Sequence, residues 1–198
     1  MDAKPRLAVF CSGNGSNFEA IAAAVKKNKL RARIACLVCD KPGARAVERA
    51  HRYQVPVVLV NPKLFSSRKD YEKFIVRVLR NQGVEVVILA GFMRILTPHF
   101  IRAYQGKILN IHPSYLPQFK GAHAIRDAYE AGVRETGVTV HLVTEDVDTG
   151  PILAQERVKI RPSDTLASLE KRIHAVEHRL YPAAIAAFLK STSFKKIK

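Results

Sequence analysis

Acidic side chains are scarce in this sequence: 17 Asp and Glu stand against 33 Lys and Arg across 198 residues, a formal net charge of +16. Long apolar runs are missing as well. No stretch approaches the ~18 residues that read as a membrane span. The N-terminus, Met1 to Arg6, has neither the apolar core nor the small-residue cleavage site of a signal peptide. A cytoplasmic protein without membrane partners is the expectation. Cysteine is rare, and the odd count of Cys11, Cys36 and Cys39 argues against a disulfide framework. Cys36 and Cys39 form a C-x-x-C, but they lie in Arg33–Cys39, an apolar run that reads as a buried strand. A redox pair needs its first cysteine at a helix N-terminus, and strand positions i and i+3 point to opposite faces. Core packing is the expectation there.

Other absences narrow the function class. The seven histidines show no H-E-x-x-H or comparable ligand spacing, so no metal is expected. No G-x-S-x-G elbow is present, which disfavours serine-hydrolase chemistry. Zinc-finger spacing and an aromatic-rich single-strand-binding signature are both missing. The positive charge is scattered, apart from the run Lys26–Arg31 and the tail Phe194–Lys198. It reads as a solvated surface that captures small anionic substrates, with no nucleic-acid partner expected.

What is present is core material in ordinary proportion, 47% hydrophobic and 25% charged, without repeat, low-complexity segment or linker. That composition suits one globular domain over residues 1–198. Its N-terminal half, to about residue 105, carries a candidate phosphate loop, and the half from about residue 106 carries candidate chemistry. Strand and helix signals alternate. Leu7–Phe10 reads as a strand and ends in a Gly-rich turn. Phe18, Ile21, Ala22 and Val25 then follow helical spacing. Arg33–Cys39 reads as a strand, Ala44–Tyr53 as a short helix and Val55–Val60 as a third strand. Ser67 and Asp70 suggest a capping box for a helix ending at Gln82-Gly83. Val84–Ala90 and Lys107–Ile111 read as further strands. Gly137–Val143 and Pro151–Ile160 suggest an antiparallel pair, and Ser163–Thr165 caps a long closing helix striped with Leu166, Leu169, Ile173, Val176 and Leu180. The expected fold is α/β: a Rossmann-like, mostly parallel twisted sheet, helices on both faces, and an antiparallel C-terminal strand pair.

Two constellations carry chemistry. Gly13-Asn-Gly-Ser-Asn17 sits between a strand and a helix, where backbone N–H groups and the helix dipole suit an oxyanion. The dinucleotide fingerprint requires a glycine at position 18, which is Phe18, and no Walker lysine follows. Gly15, Ser16 and Asn17 are therefore expected to hold a single phosphate. Asn110-Ile-His-Pro-Ser114 ends a strand at the edge where open α/β sheets bind ligands. Asn110 and His112 share a side of that strand, and Pro113 stops it. The amide suits an oxyanion, and the imidazole suits proton transfer. A carboxylate is needed to orient the ring. Glu145, Asp146 and Asp148 are all candidates by position.

Gly13–Asn17, Ala90-Gly-Phe-Met-Arg-Ile-Leu96, Asn110–Ser114, Leu116-Pro-x-Phe-x-Gly121 and Asp148-x-Gly-Pro151 follow one another in an order and spacing that resemble the folate-dependent formyltransferases, in particular the phosphoribosylglycinamide formyltransferase family. The resemblance runs from Leu7 to about Leu189. It implies formyl transfer from 10-formyltetrahydrofolate, as co-substrate, to the amine of 5'-phosphoribosylglycinamide (GAR) in de novo purine biosynthesis. It also implies Asn110, His112 and Asp148 as the catalytic trio, and Gly15, Ser16 and Asn17 on the substrate phosphate. His174, Ala175, Val176 and Glu177 would reach the ribose and glycinamide, with Glu177 a direct ligand. Arg68, Met93, Arg94, Ile95, Leu96, Asn110, Thr144, Glu145, Asp146, Val147 and Asp148 would line the folate site. Packing in the core is the competing reading of Met93, Ile95 and Leu96. His123 matches a recurring family histidine and is expected to support the site without donating a proton. Tyr115 departs from the family's usual aliphatic residue, and Cys11 precedes the phosphate loop.

The expected partners are those small molecules, with a monomer or weak homodimer as the assembly. Relatives sharing this core include formyltetrahydrofolate deformylase, with water as acceptor, and larger formyltransferases acting on methionyl-tRNA or nucleotide sugars. The compact loop, and a chain ending just after its closing helix, favour the ribonucleotide. A basic nucleic-acid-binding module is the alternative from a different class.

Overall fold

The computed structural model describes residues 4–192 and 194. The first three residues of the N-terminus, and the basic tail read at 195–198, lie outside the described residues. Seven strands form one sheet: β1 (Arg6–Cys11), β2 (Arg33–Cys39), β3 (Val57–Leu59), β4 (Val86–Leu89), β5 (Ile108–His112), β6 (Glu135–Leu142) and β7 (Ile152–Lys159), in the order β3-β2-β1-β4-β5-β6-β7. From β3 through β5 all neighbours are parallel, while β5–β6 and β6–β7 are antiparallel. The single α/β domain expected from the sequence is what forms. The antiparallel region reaches one strand further than expected, because β6 pairs with β5 as well as with β7.

Among the described residues six helices flank the sheet: α1 (Ser16–Lys26), α2 (Arg45–Arg52), α3 (Arg68–Asn81), α4 (Pro98–Ala103), α5 (Ala124–Glu130) and, after β7, α6 (Leu166–Lys190). Each sheet face has its own core. Phe18 and Ile21 of α1, Ala46 and Ala50 of α2, and Leu169, Ile173, Tyr181, Ile185 and Phe188 of α6 pack on one face. Tyr71, Ile75 and Leu79 of α3, with Phe100 and Ile101 of α4, cover the other. Alternating strand residues serve the two cores, as Val9 and Phe10 do. Cys39 belongs to the first core and Cys36 to the second, so the C-x-x-C is divided between faces as its spacing requires. Burial raises the Cys39 thiol and pushes the Cys36 thiol up to about 12, leaving both protonated packing groups.

Helix ends follow their local chemistry. Ser67 caps α3 by accepting from the Asp70 amide at 3.1 Å, and Gly83 ends it at φ 63°. Asp70 takes the hydroxyls of Ser66 and Ser67. Thr165 and Ser168 form a reciprocal box at the start of α6. The buried stripe of α6 runs further than its sequence pattern suggested, to Tyr181, Ile185 and Phe188, whereas Leu166 and Leu180 are only partly buried. Two helices escaped the sequence reading, α4 and α5, along with a 3₁₀ turn at Pro62–Leu64. At 6 and 7 residues, α4 and α5 are too short to establish a period.

The chain leaves β1 in one direction to build β2 and β3, then returns to the other side of β1 for β4 and β5. The carboxyl ends of β1 and β4 thus flank the switch point where open sheets hold ligands. Tyr181, fully buried on α6, spans this region: its hydroxyl lies 2.9 Å from the Leu89 carbonyl of β4 and 3.0 Å from the Leu109 carbonyl of β5. Removing one partner of a buried hydrogen bond typically costs about 1–3 kcal/mol. Tyr181→Phe is therefore expected to lower unfolding free energy by about that amount, measured by urea denaturation, with the native circular dichroism spectrum retained.

Candidate active site

β5 is two residues longer than its parallel neighbour at this edge. Leu89, the last residue of β4, pairs with Asn110, leaving Ile111 and His112 beyond the end of β4. On its other side β5 pairs with β6 so that Asn110 faces His141 and His112 faces Thr139. Leu109, Ile111, Val138 and Val140 point into the core shared with α6, which turns Asn110, His112, Thr139 and His141 to the opposite face.

There the polar groups meet. The Asn110 Nδ2 lies 3.2 Å from the His141 Nε2, whose other ring nitrogen is 2.9 Å from the Leu142 carbonyl. Asp148 inserts between the two imidazoles. Its Oδ2 is 3.4 Å from the His112 Nδ1, and its Oδ1 is 3.4 Å from the His141 Nε2. The Gly121 amide donates to Oδ2 at 3.0 Å. Burial acts to raise the Asp148 carboxyl. The His141 hydrogen bond, the Gly121 amide and the two neighbouring histidines outweigh it and hold the carboxyl below its ordinary value. The other ring nitrogen of His112, Nε2, is 2.8 Å from the Phe119 carbonyl. Both nitrogens of that ring therefore face acceptors, an arrangement that a doubly protonated ring satisfies completely.

Of the three acidic residues in the loop, only Asp148 turns inward. Glu145 is exposed and pairs with Arg102 at 3.1 Å, and Asp146 is exposed, its carbonyl accepting from the Thr144 and Thr149 hydroxyls. Asp148 adopts φ 53°, which a short polar side chain tolerates. The turn just after it has room only for glycine. A Cβ on Gly150 would stand 1.8 Å from the Leu142 carbonyl oxygen.

A cavity of about 360 Å³ opens beside this cluster. Leu89, Phe92, Leu96, Ile101 and Val143 give it apolar walls, and Asn110, His112, His141 and Asp148 form its polar end. Met93, Arg94, Ile95, Leu96, Thr144, Glu145, Asp146 and Val147, all expected at the folate site, line it too. Core packing explains only Leu96. Met93 is 70% exposed and Ile95 62%, so both stand at the surface of the cavity. Arg94 is held at 2.7 Å by the buried Asp40. Arg68 does not line the cavity; it extends, half exposed, 3.7 Å from Glu72, which in turn accepts from the Thr97 amide. His123 is exposed at the N-cap of α5 and is not among the residues lining the cavity. Tyr115 packs near Gly137, with the Arg157 guanidinium 4.2 Å above its ring.

The phosphate loop and α6 form a second cluster. Gly15 caps α1 at φ 71°, and Ser16 and Asn17 are its first residues. The Asn17 amide donates to the Glu177 Oε2 at 2.9 Å, and His174 meets the same oxygen at 2.9 Å. That hydrogen bond raises His174 above its ordinary value. Ala175 is exposed, and Val176 is packed in the core, so the side chain of Val176 is unavailable to a ligand. Ser12 connects the clusters: its amide donates to the Gly91 carbonyl, and its hydroxyl accepts from the Met93 amide at 3.0 Å.

One member of the polar cluster, His141, was not read from the sequence. His141 carries a usable signal, since period-two alternation puts it on the same face as Thr139. Its partner Asn110 is 31 positions away, and only the strand pairing brings them together.

The formyl transferase family profile matches residues 5–185. A phosphoribosylglycinamide formyltransferase of Bacillus subtilis (strain 168) is 47% identical over 184 residues, covering 93% of this chain and 94% of that protein. The crystal structure of glycinamide ribonucleotide transformylase 1 from Geobacillus kaustophilus superposes with a TM-score of 0.92 at 51% identity, covering 94% of this chain and 100% of that one. That of phosphoribosylglycinamide formyltransferase from Bacillus halodurans gives 0.91 at 48% identity, with 94% and 96% covered.

The fit at Gly150 generates a test. Gly150→Ala must push the 143–150 loop away from Leu142 and carry Asp148 out from between the histidines. An active-site displacement of about 1 Å can cost about 100-fold in rate, and a loss of that order in kcat is expected. Gly43→Ala, where a Cβ meets nothing within 4 Å, is the matched control and should leave kcat unchanged.

Proposed function

The chain belongs to the formyl transferase family, and from that premise we propose that it moves the formyl group of 10-formyltetrahydrofolate onto the amine of GAR, a step of de novo purine biosynthesis. The observation that carries this reading is the convergence of Asn110, His112 and Asp148 at the polar end of an apolar-walled cavity. Such walls suit a flat heterocycle, and the chain segments around 91–95 and 144–148 offer peptide groups to its polar edge.

In this reading the amine attacks the formyl carbon directly. A new C–N bond forms, the carbonyl oxygen becomes an oxyanion, and the bond to the folate nitrogen then breaks. Asn110 offers an amide N–H to that oxygen. His112, freed from the Phe119 carbonyl, turns Nε2–H toward the same charge. The proton released by the amine ends on the departing folate nitrogen, with His112 as its carrier. Asp148 orients the ring through Nδ1, and the His141 Nε2–H holds Asp148 from the other side. No covalent intermediate with the protein is needed. At the other end, the amides of Gly15, Ser16 and Asn17 take the phosphoryl group at the start of α1. Glu177, fixed by Asn17 and His174, faces the ribose and glycinamide.

A coupled assay with 10-formyltetrahydrofolate tests the reading, with GAR and water compared as acceptors. Rapid release of tetrahydrofolate only when GAR is present is expected. Equal release without it would identify a hydrolytic deformylase and overturn the assignment. Losing one oxyanion donor typically lowers the rate about 100- to 1000-fold. Asn110→Ala and His112→Ala are each expected to lose at least that much in kcat while keeping their thermal transitions.

The His174 shift gives the reading a pH signature. Its folded-state value is raised, so the charged pair with Glu177 is complete below the ordinary histidine value of ~6.5. It is lost as pH rises through the higher folded value. The KM for GAR should increase across that alkaline interval, and His174→Asn should flatten the profile.

A further inference from the structure

The phosphate loop is held from outside by α2. Ala46 and Arg49, one helical turn apart, both face it. The Ala46 amide donates to the Gly13 carbonyl at 3.1 Å, and a Cβ on Gly15 would stand 2.6 Å from the Ala46 Cβ. Arg49 grips the peptide between them. Its Nε donates to the Asn14 carbonyl at 2.9 Å, and a terminal nitrogen donates to the Asn14 Oδ1 at 3.1 Å. Its remaining nitrogen pairs with Glu19 in the first turn of α1. Arg49 is only 18% exposed, whereas Arg52, the other partner of Glu19, is 63% exposed.

These contacts have two electrostatic consequences. The Asn14 carbonyl precedes the Gly15 amide, so pinning that oxygen toward α2 fixes the peptide plane and aims the N–H away from Arg49. Glu19 suits the positive end of α1 on its own account. It nevertheless places a carboxylate one turn from the position proposed for a phosphoryl group, where like charges repel. A guanidinium on that carboxylate cancels the repulsion. Its field also reaches the facing helix: desolvation, with the charges of His174 and Arg49, lowers His178 on α6 against the opposing pull of Glu177.

We propose that Arg49 is a positioning residue for the phosphorylated substrate, clamping the Asn14 peptide so that the following amides converge on the phosphoryl group and neutralising Glu19 beside it. Arg49 itself need not touch the substrate. The proposal rests on the reading of residues 15–17 as a phosphate site, and it predicts an effect confined to one of two substrates. Hydrogen bonds to charged groups are worth enough to change affinity by about 10- to 100-fold when lost.

The experiment compares Arg49→Met and Arg49→Lys with the parent enzyme in steady-state kinetics for both substrates. Thermal unfolding is followed alongside, in inorganic phosphate and in chloride at matched ionic strength. In Arg49→Met the KM for GAR should rise about 10- to 100-fold. The KM for the folate donor should stay within about twofold and kcat within about threefold, because the 10-formyltetrahydrofolate pocket is built from other loops. Phosphate should raise the melting temperature of the parent and do so much less for Arg49→Met. Arg49→Lys keeps the charge near Glu19 without the paired grip on Asn14 and should fall between. If Arg49→Met does not fold, Arg49→Lys provides the same split. An unchanged KM for GAR in a folded variant overturns the proposal, as does an equal rise in both KM values, which marks a merely structural role. If the parent neither turns over GAR nor gains stability in phosphate, the underlying phosphate reading fails, and this proposal fails with it.

Discussion

The register between β5 and β6 is the constraint on which the site depends. Because Asn110 pairs with His141 and His112 with Thr139, one face of a two-strand patch collects an amide and two imidazoles. The other face carries Leu109, Ile111, Val138, Val140 and Leu142 against the α6 core. A slip of one residue would exchange these sets, burying three polar side chains against α6 and presenting aliphatic groups to the cavity. The hydrophobic demand of the α6 core therefore enforces the polar geometry on the far side. Thr139 reinforces the same register: its hydroxyl donates to the Ser114 carbonyl and accepts from the Leu116 amide and the Gln155 side chain. This ties the chain leaving β5 back onto β6 and β7. The change from parallel to antiparallel pairing at β5 also matters. Running β6 back along β5 places the 143–150 loop within reach of His112.

Most of the scaffold was legible because it is governed by short-range rules. The strand Arg33–Cys39 was bounded correctly from its apolar run, as were both ends of α3 from Ser67 and Gly83 and the start of α6 from the Ser163–Thr165 cap, since caps and left-handed glycines act locally. The third strand shrank from Val55–Val60 to Val57–Leu59, as its pairing with β2 covers only those three residues. In the site, period two was enough to place Asn110 and His112 together. It could not select Asp148 over Glu145 and Asp146. That choice depends on a left-handed residue at 148 and a glycine at 150 that closes on Leu142, both properties of the folded loop. Val176 carried two expectations, the apolar stripe of the closing helix and the substrate segment, and its side chain packs in the core as the stripe requires.

The scarcity of acid acquires a structural meaning once burial is considered. Asp40, Glu72 and Glu177 are each less than 7% exposed, and each has a specific partner: Arg94, the Thr97 amide and hydroxyl, and the Asn17–His174 pair. Asp148 is enclosed by histidines in the same manner. Burying a carboxylate is unfavourable unless such partners are supplied, so these acids are fixed elements of the site and its surroundings.

The cations are distributed oppositely. Lys26, Lys27, Lys29, Arg31 and Arg33 are all exposed, and none of them forms an ion pair among the described residues. A surface with a net excess of positive charge draws anions toward the protein from beyond contact distance, while screening by salt limits its reach to about 8–10 Å. In the proposed reading, selectivity comes from groups closer to the loop, where Arg49 pairs with Glu19 and Glu177 is held by Asn17 and His174. Long-range attraction and short-range discrimination are thereby assigned to different residues, and the excess charge can vary without disturbing the geometry of the β5–β6 patch.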